Sequence, residues 1–204
     1  MDIINSPVST IIFILTILIS LNAIYRSPQT FDRFLLHPYS VFRQNRWYNL
    51  ISSGFIHADL FHLIFNMMTF YFFAFNLEQM SGSLNFAIIY FASLVIADIP
   101  SLIKNKDNPD YHSLGASGAI SGVLFASILF VPESKIYLMI FPVGIPAPIF
   151  AILYLIWCWY AARNAQDNIN HSAHLFGALA GIIITVILLP GIVEFFLTNI
   201  QNII

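Results

Sequence analysis

Gly115-Ala116-Ser117-Gly118-Ala119-Ile120-Ser121-Gly122 is the stretch on which the chain turns. It follows a polar loop at 104–113 and opens an apolar run at 123–131. Small residues fill nearly every position. Gly118 and Gly122 stand four apart, as do Ser117 and Ser121, so each pair shares one face of a helix. A small-xxx-small face lets a second helix backbone approach closely inside a membrane. The stretch therefore predicts a tightly packed helix with a serine hydroxyl near its start. Taken alone, such serines and glycines are packing residues. Nor is this the Gly-x-Ser-x-Gly elbow of soluble hydrolases, which follows a strand. The question is whether the neighbouring helix carries a base.

Composition sets the solvent. The chain has 204 residues, of which 58% are hydrophobic and only 9% charged, against roughly 25% charged in a soluble domain. An all-α, polytopic membrane protein is expected, with the lipid bilayer as its partner. A net charge of −2 offers no basic face for nucleic acid. Cys158 is the single cysteine and has no internal disulfide partner. The first apolar run lacks a basic leader and an Ala-x-Ala site, so a retained span rather than a cleaved signal is expected.

A span needs about 20 mostly apolar residues. Six segments fit, at about 8–25, 60–77, 84–103, 115–131, 147–162 and 173–189, within a single membrane domain over 1–204. The connection at 26–49 is too long for a simple turn and is expected to pack as a unit. Pro142, Gly144, Pro146 and Pro148 argue against helix before the fifth segment. The tail at 192–204 could continue as a further helical piece.

Alternating direction puts the starts of the second, fourth and sixth segments on one side of the membrane. The second carries His57, His62 and Asn66, the fourth Gly115 and Ser117, and the sixth His171 and His174. Intramembrane polar residues face the bundle interior or a water-filled cavity and mark function. His174, Gly177 and Gly181 share a face, and Gly177-Ala-Leu-Ala-Gly181 is a second Gly-x-x-x-Gly. Backbone-to-backbone packing of the two glycine faces would bring Ser117 within hydrogen-bond reach of His174.

The chemistry then has its parts. A serine needs a base to become a nucleophile, and imidazole serves near neutral pH. An oxyanion needs preorganised donors. His62 and Asn66 can supply side-chain N–H groups, and Ser117 a backbone N–H left free at a helix start. Asp98 lies on another span, while Asp110 and Asp167 lie in loops, so a Ser–His dyad is expected rather than a triad. His57, His62, His171 and His174 have no accompanying carboxylate and no His-Glu-x-x-His, so no metal and no cofactor is expected. His37 and His112 read as solvated loop residues.

Three motifs in order on these segments resemble the rhomboid family of intramembrane serine proteases. They are His57-x4-His62-x3-Asn66, Gly115-Ala-Ser117-Gly118 and Ala173-His174-x2-Gly177-x3-Gly181, with Glu78 and Gly82 also fitting. The resemblance covers about 47–181. It implies a six-helix bundle in which Ser117 is the nucleophile and His174 the base. His62, Asn66 and Ser117 would form the oxyanion hole, with Gly115, Gly118, Gly122, Gly177 and Gly181 as packing support. It implies transmembrane protein substrates, with the stretch at 141–148, the fifth segment and the loop at 163–172 as gate and cap. It also implies a bacterial-type inner membrane and a catalytic face turned outside.

The chain departs from the family in two places. A Trp-Arg pair in the first loop is replaced by Arg46-Trp47-Tyr48-Asn49. The aromatic residue that some members carry one turn after the nucleophile is replaced by Ser121, which could itself hold His174. The basic residues Arg26, Arg33, Arg43, Arg46, Lys104, Lys106 and Arg163 all fall on the catalytic side, against Lys135 opposite, so the positive-inside rule argues the reverse orientation. Two other classes compete: an inactive relative that binds transmembrane segments, and a transporter. A transporter tends to carry an internal repeat, and none is found.

Overall fold

The computed structural model describes residues 5–138 and 143–201. All six apolar segments form helices there: α1 (Pro7–Tyr25), α5 (Leu60–Ser81), α6 (Ser83–Lys104), α7 (Ser117–Phe130), α8 (Ala147–Asn164) and α9 (His171–Leu188). Between α1 and α5 lie the short helices α2 (Gln29–Phe34), α3 (Pro38–Gln44) and α4 (Asn49–Ser52), then a 3-10 turn at Ser53–Phe55. α10 (Ile192–Gln201) continues the tail. By length and composition α1, α5, α6 and α9 can cross a membrane. The protein is an integral membrane protein built as a helical bundle.

The first long connection folds as a packed cap. Arg46 Nη1 donates to the Asp32 carbonyl at 3.3 Å, Asn49 Nδ2 to that of Arg33 at 2.7 Å, and Ser52 Oγ to that of Phe34 at 2.9 Å. His37 does more than sit in solvent: its ring meets Ser40 Oγ at 2.6 Å and the Pro109 carbonyl at 2.8 Å. His112 is exposed, as expected. Among the described residues the proline-rich approach to α8 is not helical, but neither is it irregular throughout. Lys135–Ile136 (β1) pairs antiparallel with Ile145–Pro146 (β2). Phe141 and Pro142 of the expected gate stretch lie outside the described residues.

α7 is the axis of the bundle, with every residue from Gly118 to Leu129 buried. Its mean apolarity is high on all sides, as a central membrane helix requires. One flank is an aromatic cluster joining α1, α5 and α6, in which Phe13, Phe70, Phe75, Phe86 and Tyr90 meet at ring distances near 6 Å, for example 5.8 Å for Phe70–Tyr90. α1 is fastened to α5 by Glu78, which is 1% exposed. Its carboxylate accepts from Val8 N at 3.0 Å, Ser9 N at 2.6 Å and Ser83 Oγ at 2.7 Å. A carboxylate at the first-turn N–H groups of α1 satisfies donors that a helix leaves orphaned and complements its dipole. Gly82, at φ +81°, makes the turn into α6.

The length of α7 has a consequence. Fourteen residues span about 21 Å at 1.5 Å per residue, short of a hydrocarbon core of about 30 Å. Irregular backbone such as the segment before Ser117 is tolerated at membrane depth only if protein satisfies it. It is satisfied. Leu36 and Ser113 exchange both backbone hydrogen bonds at 2.9 Å, and Gly115 N donates to the Ser53 carbonyl at 2.9 Å. Ala116 N donates to His57 Nε2 at 3.4 Å.

Candidate active site

Gly115 shows why this sequence is needed before Ser117. Its φ is +113°, a conformation that side-chain-bearing residues rarely adopt. A Cβ placed on it would lie 2.8 Å from both Cε1 and Nε2 of His62. The His62 ring thus occupies the space where any other residue would put a side chain, two positions before Ser117. His62 is held at the start of α5, where Asp59 caps the helix by accepting from His62 N at 2.8 Å.

His57 is completely buried and ties three elements together. Ser20 Oγ donates to the Phe55 carbonyl at 3.0 Å and so faces His57 Nδ1, 3.0 Å away, as an acceptor. That puts the ring hydrogen on Nδ1 and leaves Nε2 to accept from Ala116 N. The imidazole must be neutral in this arrangement. Burial, and then the neighbouring His62, hold its pKa down to about 3. His57 therefore anchors the entry to α7, in addition to α1 and the 3-10 turn.

α9 meets α7 through glycine. A Cβ on Gly177 would strike the backbone of Gly118, and one on Gly181 the backbone of Gly122. A Cβ on Gly118 would lie 2.6 Å from Ala97 Cβ of α6 and 3.5 Å from the Ala173 carbonyl of α9. Gly118, Gly122, Gly177 and Gly181 all lie in this contact, and Gly118 and Gly122 also admit α6. The register sets Ala173 and Gly177, the residues bracketing His174, against Gly118, the neighbour of Ser117.

Ser117 and His174 are both half-buried. Among the described residues no hydrogen bond joins them. Asn66, 8% exposed, donates one amide N–H back to the His62 carbonyl at 3.0 Å, which leaves its second N–H uncommitted.

The start of α9 is fixed by Asn170, which the sequence reading passed over. Its Oδ1 caps the helix by accepting from Ala173 N at 3.1 Å, and its Nδ2 donates to Ser101 Oγ at 3.0 Å. Tyr111 and Ser113 lie within hydrogen-bond reach of the same amide. One side chain thus joins α6, the loop before Ser117 and the helix carrying His174. An Asn just ahead of an apolar run is an N-cap signal and could have been found on that ground.

The Rhomboid domain family matches residues 44–191. The rhomboid protein YdcA of Bacillus subtilis is 33% identical over 148 residues, covering 68% of this chain and 66% of that one. Rhomboid protein 1 of Saccharomyces cerevisiae mitochondria is 31% identical over 141 residues, covering 66% of this chain and 40% of its own. The rhomboid protease GluP of Bacillus subtilis is 28% identical over 182 residues, 87% of this chain and 34% of its own. This chain belongs to the rhomboid family. It spans two thirds or less of the length of these relatives.

In this rhomboid the position one turn after Ser117 is not used as expected. Ser121 Oγ and Tyr154 Oη hydrogen-bond at 2.9 Å, so Ser121 holds α8 rather than His174. The reason is direction: Ser121 looks toward α8, while the glycines one residue on face α9. The ring near His174 is His171 instead, at 6.0 Å and nearly edge-on. His171 is not in the cap loop but is the first residue of α9, 7% exposed. Its Nε2 donates to Asp167 at 3.1 Å. That hydrogen bond, then the N–H of Ile169, hold the Asp167 carboxyl below its usual pKa. A carboxylate thus stands one imidazole away from His174, where none was expected.

Proposed function

We propose that this rhomboid is an intramembrane serine endopeptidase that cleaves transmembrane segments with a Ser117–His174 dyad. The observation that carries the proposal is the glycine register, Gly118 against Gly177 and Gly122 against Gly181, which sets the two helix starts side by side. In the proposed reaction Ser117 Oγ attacks the scissile carbonyl carbon as His174 takes its proton. The oxyanion is held by Ser117 N–H, by His62 and by the free N–H of Asn66. Collapse breaks the C–N bond, and His174 returns the proton to the leaving amine. Water, deprotonated by the same imidazole, then releases the acyl group. The missing ground-state hydrogen bond is compatible with this, since such contacts often tighten only in the substrate complex.

The single domain over 1–204 and its six crossings belong to the same proposal. α7 and α8 cross as the short, buried axis and the lipid-facing flank. The bilayer is proposed to be a bacterial-type cell membrane with the catalytic face outside, and a reporter fused after Ile204 tests this: an external signal reverses the assignment. The second reading, an inactive rhomboid-like protein that binds transmembrane segments, is favoured by the absence of a Ser117–His174 hydrogen bond. A fluorophosphonate probe separates the two. Covalent labelling of Ser117 supports the enzyme, and no adduct on folded protein supports the binder.

A further inference from the structure

The Asp167–His171 pair stands beside the candidate base, and the reaction proposed above does not use it. His171 and His174 are three apart in the first turn of α9, so they share a face. A helical side chain leans back over the turn before its own Cα, which is the turn that carries His171. The two ring centroids are 6.0 Å apart and the planes are nearly perpendicular.

One nitrogen of His171 is committed. Its Nε2 lies 3.2 and 3.1 Å from the two oxygens of Asp167, and a carboxylate only accepts. The hydrogen of the neutral ring is therefore on Nε2, and Nδ1 is a bare acceptor. Nδ1 is sealed from solvent and, among the described residues, has no hydrogen-bond partner. Leaving a buried acceptor unmet is costly, and each such group in a native fold calls for a partner. Two rings with an N–H to give lie against His171, Trp157 at 6.5 Å and His174 at 6.0 Å. Trp157 belongs to the lipid-facing side of α8, at 58% exposure. His174 is on the same helix turn as His171, and its ring has no hydrogen bond to a described residue. Among the described ionisable groups, His171, His62 and Asp167 act on the His174 ring, and only Asp167 is an anion.

We propose that His171 is the positioning residue of the base: its Nδ1 accepts the ring N–H that His174 turns away from Ser117, and Asp167 holds His171 in the tautomer that can accept. This role rests on the Ser117–His174 reading and supplies the orienting partner that a dyad lacks. As Ser117 Oγ attacks, its proton moves to one ring nitrogen of His174. The positive charge that forms is held through the other N–H against His171 Nδ1. No proton passes to His171 or Asp167, and His174 returns the one it took to the leaving amine. The rings close from 6.0 Å to hydrogen-bond contact at that stage, as catalytic contacts tighten with substrate bound.

The test joins nitrogen NMR of ring-labelled protein in detergent to steady-state cleavage of a labelled transmembrane substrate. In the parent, His171 should carry its hydrogen on Nε2. In Asp167→Asn the hydrogen should move to Nδ1. There Ile169 N–H, 3.0 Å from Oδ1, keeps the amide oxygen in that place and turns the amide N–H toward Nε2. With KM unchanged, kcat should fall about 10²-fold in His171→Phe, the low end of what acid–base catalysis contributes, and about tenfold in Asp167→Asn. Asp167→Glu should recover most of the loss. Asp167 is half-exposed, so Asp167→Asn keeps the test standing if His171→Phe does not fold. Trp157→Phe, which keeps a ring but removes the other N–H beside His171, should match the parent. A hydrogen on Nδ1 in the parent, a parent-like kcat in Asp167→Asn, or an equal loss in Trp157→Phe would each overturn the proposal while the parent still cleaves. No cleavage by the parent would overturn the Ser117–His174 reading, and this role with it.

Discussion

α7 has two neighbours on its functional face, and they are held by opposite means. α9 lies backbone to backbone against it, so close that a Cβ on Gly177 or Gly181 would strike the α7 backbone. α8 touches it lightly. Only Ala147, Cys158 and Ala161 of α8 are buried, and Ile152, Leu153, Ile156, Trp157, Trp159 and Tyr160 are more than half exposed. Among the described residues one hydrogen bond joins α8 to α7, that of Ser121 with Tyr154. Small residues give rigidity because packing in a membrane is driven by close contact rather than by expelled water. A hydroxyl pair gives a contact that can break and be remade. The two candidate reacting groups sit on the closely packed pair, while the helix at the flank is the one with most of its surface exposed.

The largest effect should come from breaking the rigid interface. Gly177→Val or Gly181→Val drives a side chain into the backbone of α7, with a cost at or beyond the roughly 3 kcal/mol top of the overpacking range. Thermal unfolding should move sharply down and fluorophosphonate labelling of Ser117 should vanish. A variant as stable as the parent would mean that the helices do not meet in this register.

Gly115→Ala attacks only the entry to α7. It forces a strained φ and displaces His62, so turnover should fall about 10²–10³-fold, the usual cost of one oxyanion donor, while the helical fold persists. Steady-state cleavage with a circular dichroism control measures both halves of that expectation.

His57→Ala should reduce stability by about 1–3 kcal/mol, because Ala116 N–H and Ser20 lose a buried partner. It should also change the pH dependence. The native ring resists protonation down to about pH 3, while the unfolded ring accepts a proton near 6.5. The unfolded state therefore binds more protons across that window, and stability falls as pH drops from 6.5 toward 3. Unfolding midpoints measured over this range should flatten in His57→Ala. An equally steep acid limb would assign the sensitivity to other groups.

The smallest effect belongs to the loose contact. Tyr154→Phe leaves Ser121 without its partner and should cost about 1 kcal/mol. A double-mutant cycle with Ser121→Ala should return a coupling of similar size. No coupling would mean that the hydroxyl pair does not fasten α8.

Much of this was legible before any coordinates. Apolar length located all six helices, because membrane helices have no other way to satisfy their backbone. The two Gly-x-x-x-Gly patterns named the interface that the fold uses. Periodicity was silent on what lies between helices. The polar cap of α2–α4 is held by side chain to carbonyl bonds, such as Asn49 to Arg33, which leave no repeat in the sequence. Placing Asp167 in a loop hides its pairing with His171, although it stands four residues before it. Tyr154 could not have been matched to Ser121, since no spacing rule relates a residue on one membrane helix to a residue on another.

The central claim is that Ser117 and His174 react as a pair. Its most direct measurement is cleavage of a labelled transmembrane substrate by the purified protein, beside Ser117→Ala and His174→Ala in the same detergent. Cleavage by the parent and none by either variant is the predicted result. Cleavage by Ser117→Ala at the parent's rate would contradict the account.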